Sequence, residues 1–592
     1  MRDPRYAPRR LEIEHRADGA ILLHNPTPIA GDFRTTLDAL DYWAAATAGR
    51  PWLAERSGEG WRIVGYGEAR ARVAAIAGGL AEMGLAGGAP MLILARNGVD
   101  HALVAFAAMS LDIPIAAISP QYGLAGADLS RLAHAARVLA PGSVYVDDAA
   151  AFAGALESDI LADLPVIAER NGRPGHVMLE TLLASAPSRA RPTPDAIAKL
   201  LLTSGSTGAP KAVMCLHAAV AANAAQVAAC YDDPEPPVVV NQAPWSHSLG
   251  ANAILQMVLH RGGTLYIDAG APVAGRNAET VRNLREIAPT YHNMVPAGWD
   301  LLAGDLERDD ALARTFFSRV RVLQYGGAAL GQSTCDRVQA VAARTVGETI
   351  SFASGYGATE TGPTATNVHW PNQRMGLMGL PAPQTTVKLV PAQGRLEFRV
   401  KGPQLSAGYY RNPAATAAAF DEEGYYQLGD AARMAQAEDI AEGLVFDGRL
   451  SENFKLSSGT FVNVGALRVA AVSAIGGAAS DAVVCGEGQR GVGLLVFLNP
   501  PQCRVLAGGK EDYAGHPAVA AAVREGLQKY NAHSGGGGAK VSRALILSDA
   551  PHLGSGEITD KGYINQMLAR ARRAADIDRL FAEPAADGVM VF

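Results

Sequence analysis

The sequence predicts an α/β fold in two parts. Residues 1–450 are expected to form a large N-terminal domain of layered sheets and helices, and residues 451–592 a small α+β domain. The chain has 592 residues, which is too long for a single hydrophobic core. Short apolar runs alternate with Ala-rich amphipathic segments before residue 450, and a polar, Gly-containing stretch follows it. We therefore place the domain boundary at residues 449–452.

The first elements follow from hydrophobic periodicity. Residues 35–46 and 68–83 carry apolar side chains every three or four positions, which predicts helices. Residues 90–94 and 114–118 are short buried strands on either side of a helix over residues 99–109. This alternation indicates a parallel sheet covered by helices.

Later elements continue the alternation. A helix is predicted over residues 218–229, and strands over residues 236–242, 290–296, 320–325, 396–400, 481–485 and 493–498. Residues 534–538, S-G-G-G-G, are expected to be a flexible linker.

Composition excludes several classes of function. The net charge is -6 and the pI is about 6.1, so no basic surface for nucleic acid or an anionic membrane is expected. No apolar run approaches the ~20 residues of a membrane span, and the charged N-terminus has no apolar core behind it. We expect a cytoplasmic protein without nucleic-acid or membrane partners.

The cysteines indicate neither a disulfide framework nor a zinc site. Cys215, Cys230, Cys335, Cys485 and Cys503 are scattered, odd in number and lack C-x-x-C spacing. We expect them to be reduced and buried.

Residues 201–211, L-L-T-S-G-S-T-G-A-P-K, suit a polyphosphate. An apolar strand end is followed by hydroxyls, freely posed backbone N–H groups and one positive charge, from Thr203, Ser204, Gly205, Ser206, Thr207, Gly208 and Lys211. The common P-loop is excluded, because the two glycines are too close together and Pro210 precedes the lysine. The alternative is an ordinary surface loop, for which the preceding strand and terminal lysine are unusual.

A second motif, S-G-Y-G-A-T-E-T-G, occupies residues 354–362. The Thr359 hydroxyl can bond a phosphate, and the Glu360 carboxylate can hold Mg²⁺, which prefers oxygen ligands and retains water and substrate phosphates. The alternative for Glu360 is a solvated surface charge.

These two motifs resemble those of the acyl-adenylate-forming (AMP-binding) family, which includes acyl-CoA synthetases, peptide-synthetase adenylation domains and beetle luciferase. The resemblance covers about residues 35–570, with the motifs in the family's order. It implies a large N-terminal adenylation domain, a mobile C-terminal domain, and ATP, Mg²⁺ and CoA as cofactors and substrates.

The resemblance also assigns nucleotide contacts. It implies phosphate binding by residues 203–208 and Lys211, adenine packing on Gly326, Gly327 and Ala328, contacts from Tyr356, Gly357 and Thr359, Mg²⁺ on Glu360, ribose bonds to Asp430, ribose and phosphate bonds to Arg449, and a catalytic lysine at Lys561. The alternatives are an ordinary turn at the glycines, a surface ion pair at Arg449 and an isolated surface charge at Lys561.

Residues of the small domain resemble those that the family uses to transfer the acyl group to a thiol. Lys455, Gly459 and Phe461 lie in a segment similar to the one that lines the CoA thiol tunnel. The family's hinge position is Ser451, where relatives commonly carry Asp or Lys. This departure changes the polarity of the hinge and does not threaten catalysis.

The acid pocket is the least defined part of the prediction. His247 lies in the loop P-W-S-H-S-L-G, which resembles the family loop whose His or aromatic residue lines the pocket. Trp245, Tyr291, His292 and Tyr356 are further candidates. Whether His247 acts chemically or only lines the pocket stays open.

Within the family, residues 457–464 and 557–566 look most like feruloyl-CoA synthases. The implied reaction is adenylation of ferulate or another hydroxycinnamic acid, followed by transfer to CoA, and no enzyme nucleophile is required. The alternatives are a CoA ligase for another aromatic or medium-chain acid, loading of a carrier protein, luciferase-like oxidation, and a non-catalytic nucleotide sensor. Retention of Glu360 and Lys561 argues against the sensor.

Overall fold

The structure, a computed structural model, describes residues 1–203, 210–273, 275–392, 394–551, 557 and 564–592. The chain divides into two compact units. Unit 1 comprises Met1–Val390, Arg399–Leu428 and Met434–Val445, and unit 2 comprises Pro391–Phe398, Gly429–Arg433 and Phe446–Phe592. The last segment of unit 2 begins close to the predicted boundary. Its two shorter segments were not predicted, because a change of composition along the chain marks only a linear division.

In chain order the described strands are β1 (Glu12–His15), β2 (Ile21–His24), β3 (Pro51–Ser57), β4 (Gly60–Gly65), β5 (Met91–Leu94), β6 (Ile115–Ala117), β7 (Ser143–Val146), β8 (Val166–Ala168), β9 (Val177–Met178), β10 (Ile197–Thr203), β11 (Lys211–Leu216), β12 (Val238–Asn241), β13 (Thr264–Ile267), β14 (Tyr291–Met294), β15 (Val322–Tyr325), β16 (Ser351–Tyr356), β17 (Thr366–Asn367), β18 (Leu377–Pro381), β19 (Thr386–Ala392), β20 (Arg395–Lys401), β21 (Tyr426–Gln436), β22 (Asp439–Arg449), β23 (Phe454–Lys455), β24 (Phe461–Val462), β25 (Ala479–Cys485), β26 (Val492–Leu498), β27 (Val541–Ile546) and β28 (Val589–Val591).

The described α-helices are α1 (Asp38–Ala46), α2 (Tyr66–Glu82), α3 (Val99–Ser110), α4 (Ser130–Leu139), α5 (Ala153–Leu156), α6 (Leu179–Leu183), α7 (His217–Ala228), α8 (Leu255–His260), α9 (Asn277–Glu286), α10 (Pro296–Arg308), α11 (Asp310–Arg319), α12 (Gln332–Val346), α13 (Pro413–Ala419), α14 (Val464–Ile475), α15 (Pro500–Leu506), α16 (Pro517–His533), α17 (Gln566–Arg572) and α18 (Ala574–Phe581). A π-helical segment, Leu249–Ile254, precedes α8.

The first sheet of unit 1 has the order β11-β10-β6-β5-β7-β8-β9. Its neighbours are parallel except β10 and β11, which are antiparallel. All four residues of β5 are buried, and α3 is buried along its whole length. A helix that is buried on all sides belongs inside a core, and α3 shares one with α2.

The second sheet has the order β12-β13-β3-β4, and β14, β15 and β16 form a parallel set of their own. Antiparallel pairs β16–β17, β17–β18 and β18–β22 extend that set, while β1, β2 and β19 pair in succession. The prediction of layered α/β sheets is confirmed. The predicted helix over residues 35–46 begins at Asp38, whose carboxylate instead accepts the N–H groups of Arg34 and Thr35.

Unit 2 contains the sheet β25-β26-β27-β28 and the hairpin β23–β24. Helices α14 and α16 pack on one side of the sheet in a core with Val484, Leu494 and Val496. The stretch 534–538 joins α16 to β27, and a Cβ at Gly538 would lie 2.5 Å from the carbonyl oxygen of Phe461. Gly535, Gly536 and Gly537 are exposed, with no atom within 4 Å of an added Cβ, so only the end of this stretch is packed. The whole stretch lies within unit 2.

Two predictions from composition can be checked over the same residues. All five cysteines are buried and free of disulfides, as expected. Among the described residues, no helix is both long enough and apolar enough to cross a bilayer.

Candidate active site

The predicted phosphate-binding segment begins and ends on two paired strands. Thr203 closes β10 and Lys211 opens β11, and the two residues face each other in the antiparallel register. Oγ1 of Thr203 is buried, and the described residues offer it no hydrogen-bond partner. A buried hydroxyl without a partner is costly, so this atom fits a ligand that bonds to it. Ser204, Gly205, Ser206, Thr207 and Gly208 lie outside the described residues.

Glu360 lies in a hydrogen-bonded chain of hydroxyl groups. It is 8% exposed, and its Oε1 accepts a hydrogen bond of 3.0 Å from the Tyr409 hydroxyl. The Tyr409 oxygen lies 2.9 Å from the hydroxyl of Tyr426, which is also buried. Because the single Tyr409 proton is given to Glu360, Tyr426 must be the donor to Tyr409. Each bond in such a chain strengthens the next.

Lys211 lies on the ring of the same tyrosine. Its Nζ is 4.9 Å from the centroid of the Tyr409 ring, in a cation–π contact. Between these two described charges, Lys211 and Glu360, no ion pair forms. Tyr409 therefore contacts both the predicted phosphate-binding lysine and the predicted metal ligand.

The rest of the 354–362 motif is fixed by close packing. The Thr359 hydroxyl bonds to Ser248 Oγ at 3.2 Å, and the Glu360 carbonyl accepts from the Ser406 N–H at 2.9 Å. A Cβ at Gly357 would lie 2.6 Å from the Gly362 carbonyl oxygen, so the turn requires glycine. Tyr356 is half-buried at the end of β16.

The predicted adenine-binding residues follow β15 directly. Gly327 has φ +83°, a conformation that disfavours any side chain, and both Gly327 and Ala328 are exposed. A Cβ at Gly326 would meet the Leu249 side chain at 3.5 Å. This segment thus offers an open, small-residue surface beside the π-helical segment.

On the acid side, Trp245 is fixed by a neighbouring loop. Its backbone N–H donates to Asn97 Oδ1 at 2.9 Å, and the Asn97 amide donates to the Ala243 carbonyl at 2.9 Å. The Trp245 ring meets His101 edge to face, with centroids 5.0 Å apart. His247 is half-buried, directly before Ser248 and the π-helical segment.

Tyr291 and His292 are not brought together. They are consecutive on β14, so their side chains point to opposite faces of the strand. The Tyr291 hydroxyl bonds to Gln324, whereas the His292 ring lies edge to face with Trp299 and Phe316 at 5.4 Å and 5.1 Å. Burial lowers the His292 pKa to about 3, and neither ring nitrogen has a partner among the described residues. One pocket cannot be lined by both side chains.

A buried lysine supports the π-helical segment that follows His247, and the sequence analysis did not single it out. Lys199 on β10 is 2% exposed, and its Nζ donates to the Ala251 carbonyl at 2.8 Å and to Asn252 Oδ1 at 3.0 Å. Desolvation lowers its pKa to about 8. Carbonyls of a π-helical turn are offset from the regular ladder, and Lys199 supplies one of them with a donor. The sequence could have indicated this residue, because Lys199 stands within an otherwise apolar strand.

In unit 2, Asp430 and Arg449 are adjacent. Arg449 Nε lies 3.3 Å from Asp430 Oδ1, and the aspartate side chain is 8% exposed against 40% for the arginine. Ser451 is exposed in a short 3₁₀ turn, Leu450–Glu452. The ribose role of the pair and the hinge role of Ser451 stay predictions.

The predicted CoA residues lie on one hairpin of unit 2. Lys455 is exposed at the end of β23, Gly459 has φ +81° in the turn, and Phe461 opens β24 opposite Lys455. The Arg395 guanidinium lies 5.1 Å from the centroid of the Phe461 ring. Lys561 is outside the described residues.

The donor set fits Mg²⁺ better than a metal held by the protein alone. No cluster of three or more His, Cys, Asp or Glu residues that could hold a metal occurs in the described part of the chain. A single buried carboxylate suits an ion that takes its other ligands from water and phosphate.

Tyr409 and Tyr426 are the functional candidates that sequence reasoning missed on the nucleotide side. Tyr426 belongs to G-Y-Y-Q-L-G-D, the stretch that pointed to Asp430. Tyr409 lies 49 positions after Glu360, so only the fold brings the two together.

Comparison with known proteins identifies a family and several relatives of this chain. A protein-family model described as AMP-binding enzyme matches residues 40–410. The chain is 27% identical over 421 residues to a carboxylic acid reductase of Segniliparus rugosus, covering 66% of this chain and 33% of the reductase. It is 25% identical over 387 residues to a 4-coumarate–CoA ligase of Pinus taeda, covering 62% of this chain and 68% of the ligase.

A solved structure has the same fold. The adenylation domain of a carboxylate reductase from Mycobacterium chelonae matches with a TM-score of 0.73 at 20% identity, over 92% of this chain and 91% of that domain. The chain thus spans only a third of the reductase sequence but nearly all of a reductase adenylation domain.

Proposed function

Because the chain belongs to the family of AMP-binding enzymes, we propose that it is an ATP-dependent acid–CoA ligase acting on ferulate or another hydroxycinnamic acid. The observation that carries the proposal is the arrangement around Tyr409, where a buried carboxylate and a lysine lie on one tyrosine beside the phosphate-binding strands. Opposite charges held apart from each other suit a metal ion and the phosphates of ATP.

The first step activates the carboxylate. One substrate oxygen attacks the α-phosphorus of ATP, the bond from that phosphorus to the bridging oxygen of the β-phosphate breaks, and pyrophosphate leaves. Lys211 would offset negative charge on the phosphates, and the Thr203 and Thr359 hydroxyls would bond phosphate oxygens. Mg²⁺ bound at Glu360 would neutralise further phosphate charge. Lys561 is proposed to act on the departing pyrophosphate.

The second step transfers the acyl group. The CoA thiolate attacks the acyl carbonyl, the carbonyl-to-phosphate oxygen bond breaks, and AMP leaves. Lys455, Gly459 and Phe461 are proposed to contact CoA, Asp430 and Arg449 to bind ribose, and Ser451 to be the hinge. No residue forms a covalent intermediate in this scheme.

Two observations support a hydroxycinnamic acid as the substrate. Trp245 and His247 offer aromatic and polar groups rather than a long aliphatic lining, which suits a planar phenylpropenoic acid. The 4-coumarate–CoA ligase relative supports the same class.

A screen tests the proposal. Pyrophosphate release is measured with ATP, Mg²⁺ and ferulate, 4-coumarate, cinnamate or octanoate, with and without CoA, and the thioester is identified by mass. Ferulate and 4-coumarate should be preferred over cinnamate, because a buried partner for the 4-hydroxyl is left unpaired without it. A higher kcat/KM for octanoate than for ferulate would discard the hydroxycinnamate assignment and leave the adenylation chemistry standing.

The reductase relatives favour a second candidate, an adenylating enzyme that delivers its acyl group to a carrier-protein thiol. Acid-dependent pyrophosphate release without any CoA thioester, together with acylation of an added pantetheinylated carrier, would select this candidate over the CoA ligase.

A further inference from the structure

Tyr409 is fixed by the strand that carries Lys211. It forms an antiparallel bridge with Val213 on β11, and its N–H donates to Thr416 Oγ1 at 2.9 Å. The flanking Tyr410 N–H donates to the Ala212 carbonyl at 2.8 Å. The position of the ring relative to Lys211 is therefore set by backbone pairing.

A carboxylate that is to bind a metal must be oriented without losing its charge. A lysine would orient Glu360 but also neutralise it, and breaking such an ion pair would oppose metal binding. A phenol donates a hydrogen bond and carries no formal charge. A phenol ordinarily loses its proton only near pH ~10, so a tyrosine hydroxyl can donate at neutral pH.

We propose that Tyr409 is a positioning residue of the adenylation step. Its hydroxyl orients Glu360 for the metal ion, and its ring holds Lys211 beside the phosphate-binding strands and apart from Glu360. Tyr426 donates to the Tyr409 oxygen and fixes the direction of the Tyr409 proton. The inference rests on the proposed function, since it assigns these two tyrosines to the metal and nucleotide of that reaction.

The test separates metal binding from folding and from activity. The probe is α,β-methylene-ATP, which cannot transfer its AMP group to an acid, and its dissociation constant is measured without metal and with Mn²⁺. Bound Mn²⁺ is followed by electron paramagnetic resonance. Tyr409→Phe keeps the ring and removes the hydroxyl. It should weaken the Mn²⁺–nucleotide complex about tenfold, the loss expected for a hydrogen bond to a charged group.

The same variant should bind metal-free nucleotide within about twofold of the wild type, because Lys211 keeps its ring contact. Tyr409→Leu removes ring and hydroxyl together and should weaken both forms of the nucleotide. Tyr426→Phe keeps the Tyr409 bond to Glu360 and removes the Tyr426 hydroxyl, which also interacts with Glu360, so it should show a smaller loss of about threefold with Mn²⁺.

Tyr425→Phe is the matched control. Tyr425 is a buried neighbour whose ring contacts Lys388 and Lys401 instead, and both complexes should be unchanged. If the wild type binds and the Tyr409→Phe variant loses no Mn²⁺ affinity, or loses metal-free affinity equally, the positioning role is overturned while the proposed function stands. A wild type that binds neither form contradicts the proposed function itself.

Discussion

Glu360 and Lys211 on the nucleotide side of the candidate site are held by a tyrosine hydroxyl and a tyrosine ring. On the predicted acid side, the Trp245 backbone is held by Asn97, and its ring meets the His101 ring edge to face. In the proposed function, charged groups act on ATP whichever acid is bound, whereas aromatic side chains select the acid. Substitutions on the nucleotide side should therefore affect every acid equally, and those on the acid side should change selectivity alone.

The largest effect is expected from Lys561→Ala. A positive charge that is useful only while pyrophosphate departs contributes ~2–4 kcal/mol, so adenylation should slow by roughly 10²–10³ with every acid. Thioester formation from supplied acyl-AMP should be spared. Rapid-quench measurement of the two half-reactions checks this, and equal losses in both would refute the assignment.

Glu360→Gln should raise the Mg²⁺ concentration for half-maximal pyrophosphate release by roughly tenfold to a hundredfold, because the neutral amide is a poor Mg²⁺ ligand. The ratio of kcat/KM for ferulate to that for octanoate should stay constant. Glu422→Gln, at an exposed glutamate, is the control. An unchanged Mg²⁺ titration would remove Glu360 from the metal site, and a changed acid ratio would break the division between the two sides.

His247→Ala should show the opposite behaviour. Loss of a pocket side chain should raise KM for ferulate by about tenfold and change KM for ATP by no more than about twofold. Steady-state kinetics with each substrate varied in turn checks this. An equal rise for ATP would place His247 on the nucleotide side.

The smallest effect on activity is expected from His292→Phe, since this ring lies among aromatic side chains away from Tyr291. Pyrophosphate release should be unchanged. At neutral pH the free energy of unfolding should rise by about 1 kcal/mol, because a buried polar ring without partners is replaced by an apolar one.

The pH dependence of His292→Phe has a defined sign. The His292 pKa falls from 6.5 to about 3 on burial, so the unfolded chain binds the proton first. The part of the stability that depends on His292 being uncharged is fully present above the unfolded pKa of 6.5 and is lost as the pH falls towards about 3. Denaturant unfolding at several pH values should show that the free energy of unfolding falls less with decreasing pH in the variant than in the wild type. An unchanged pH dependence of the free energy of unfolding would show that burial does not shift the His292 pKa. A large loss of activity would return His292 to the acid pocket.

The residues that the sequence could predict differ from those that it could not in how they are brought together. Strand and helix periodicity predicted the parallel sheets, and local motifs predicted Thr203, Lys211 and Glu360, because neighbours in sequence stay neighbours on a strand or turn. Tyr409 was missed because it reaches Glu360 only through pairing with β11. His292 was proposed for the pocket because strand alternation tells which residues share a face and not which face meets a ligand.

Isotope transfer tests the central claim, acyl-adenylate formation, most directly. Ferulate labelled with ¹⁸O at both carboxylate oxygens is incubated with ATP, Mg²⁺ and CoA, and the products are analysed by mass. If the carboxylate attacks the α-phosphorus, AMP carries one ¹⁸O and the thioester keeps the other. Unlabelled AMP, or ADP with ¹⁸O in inorganic phosphate, would contradict the adenylate route.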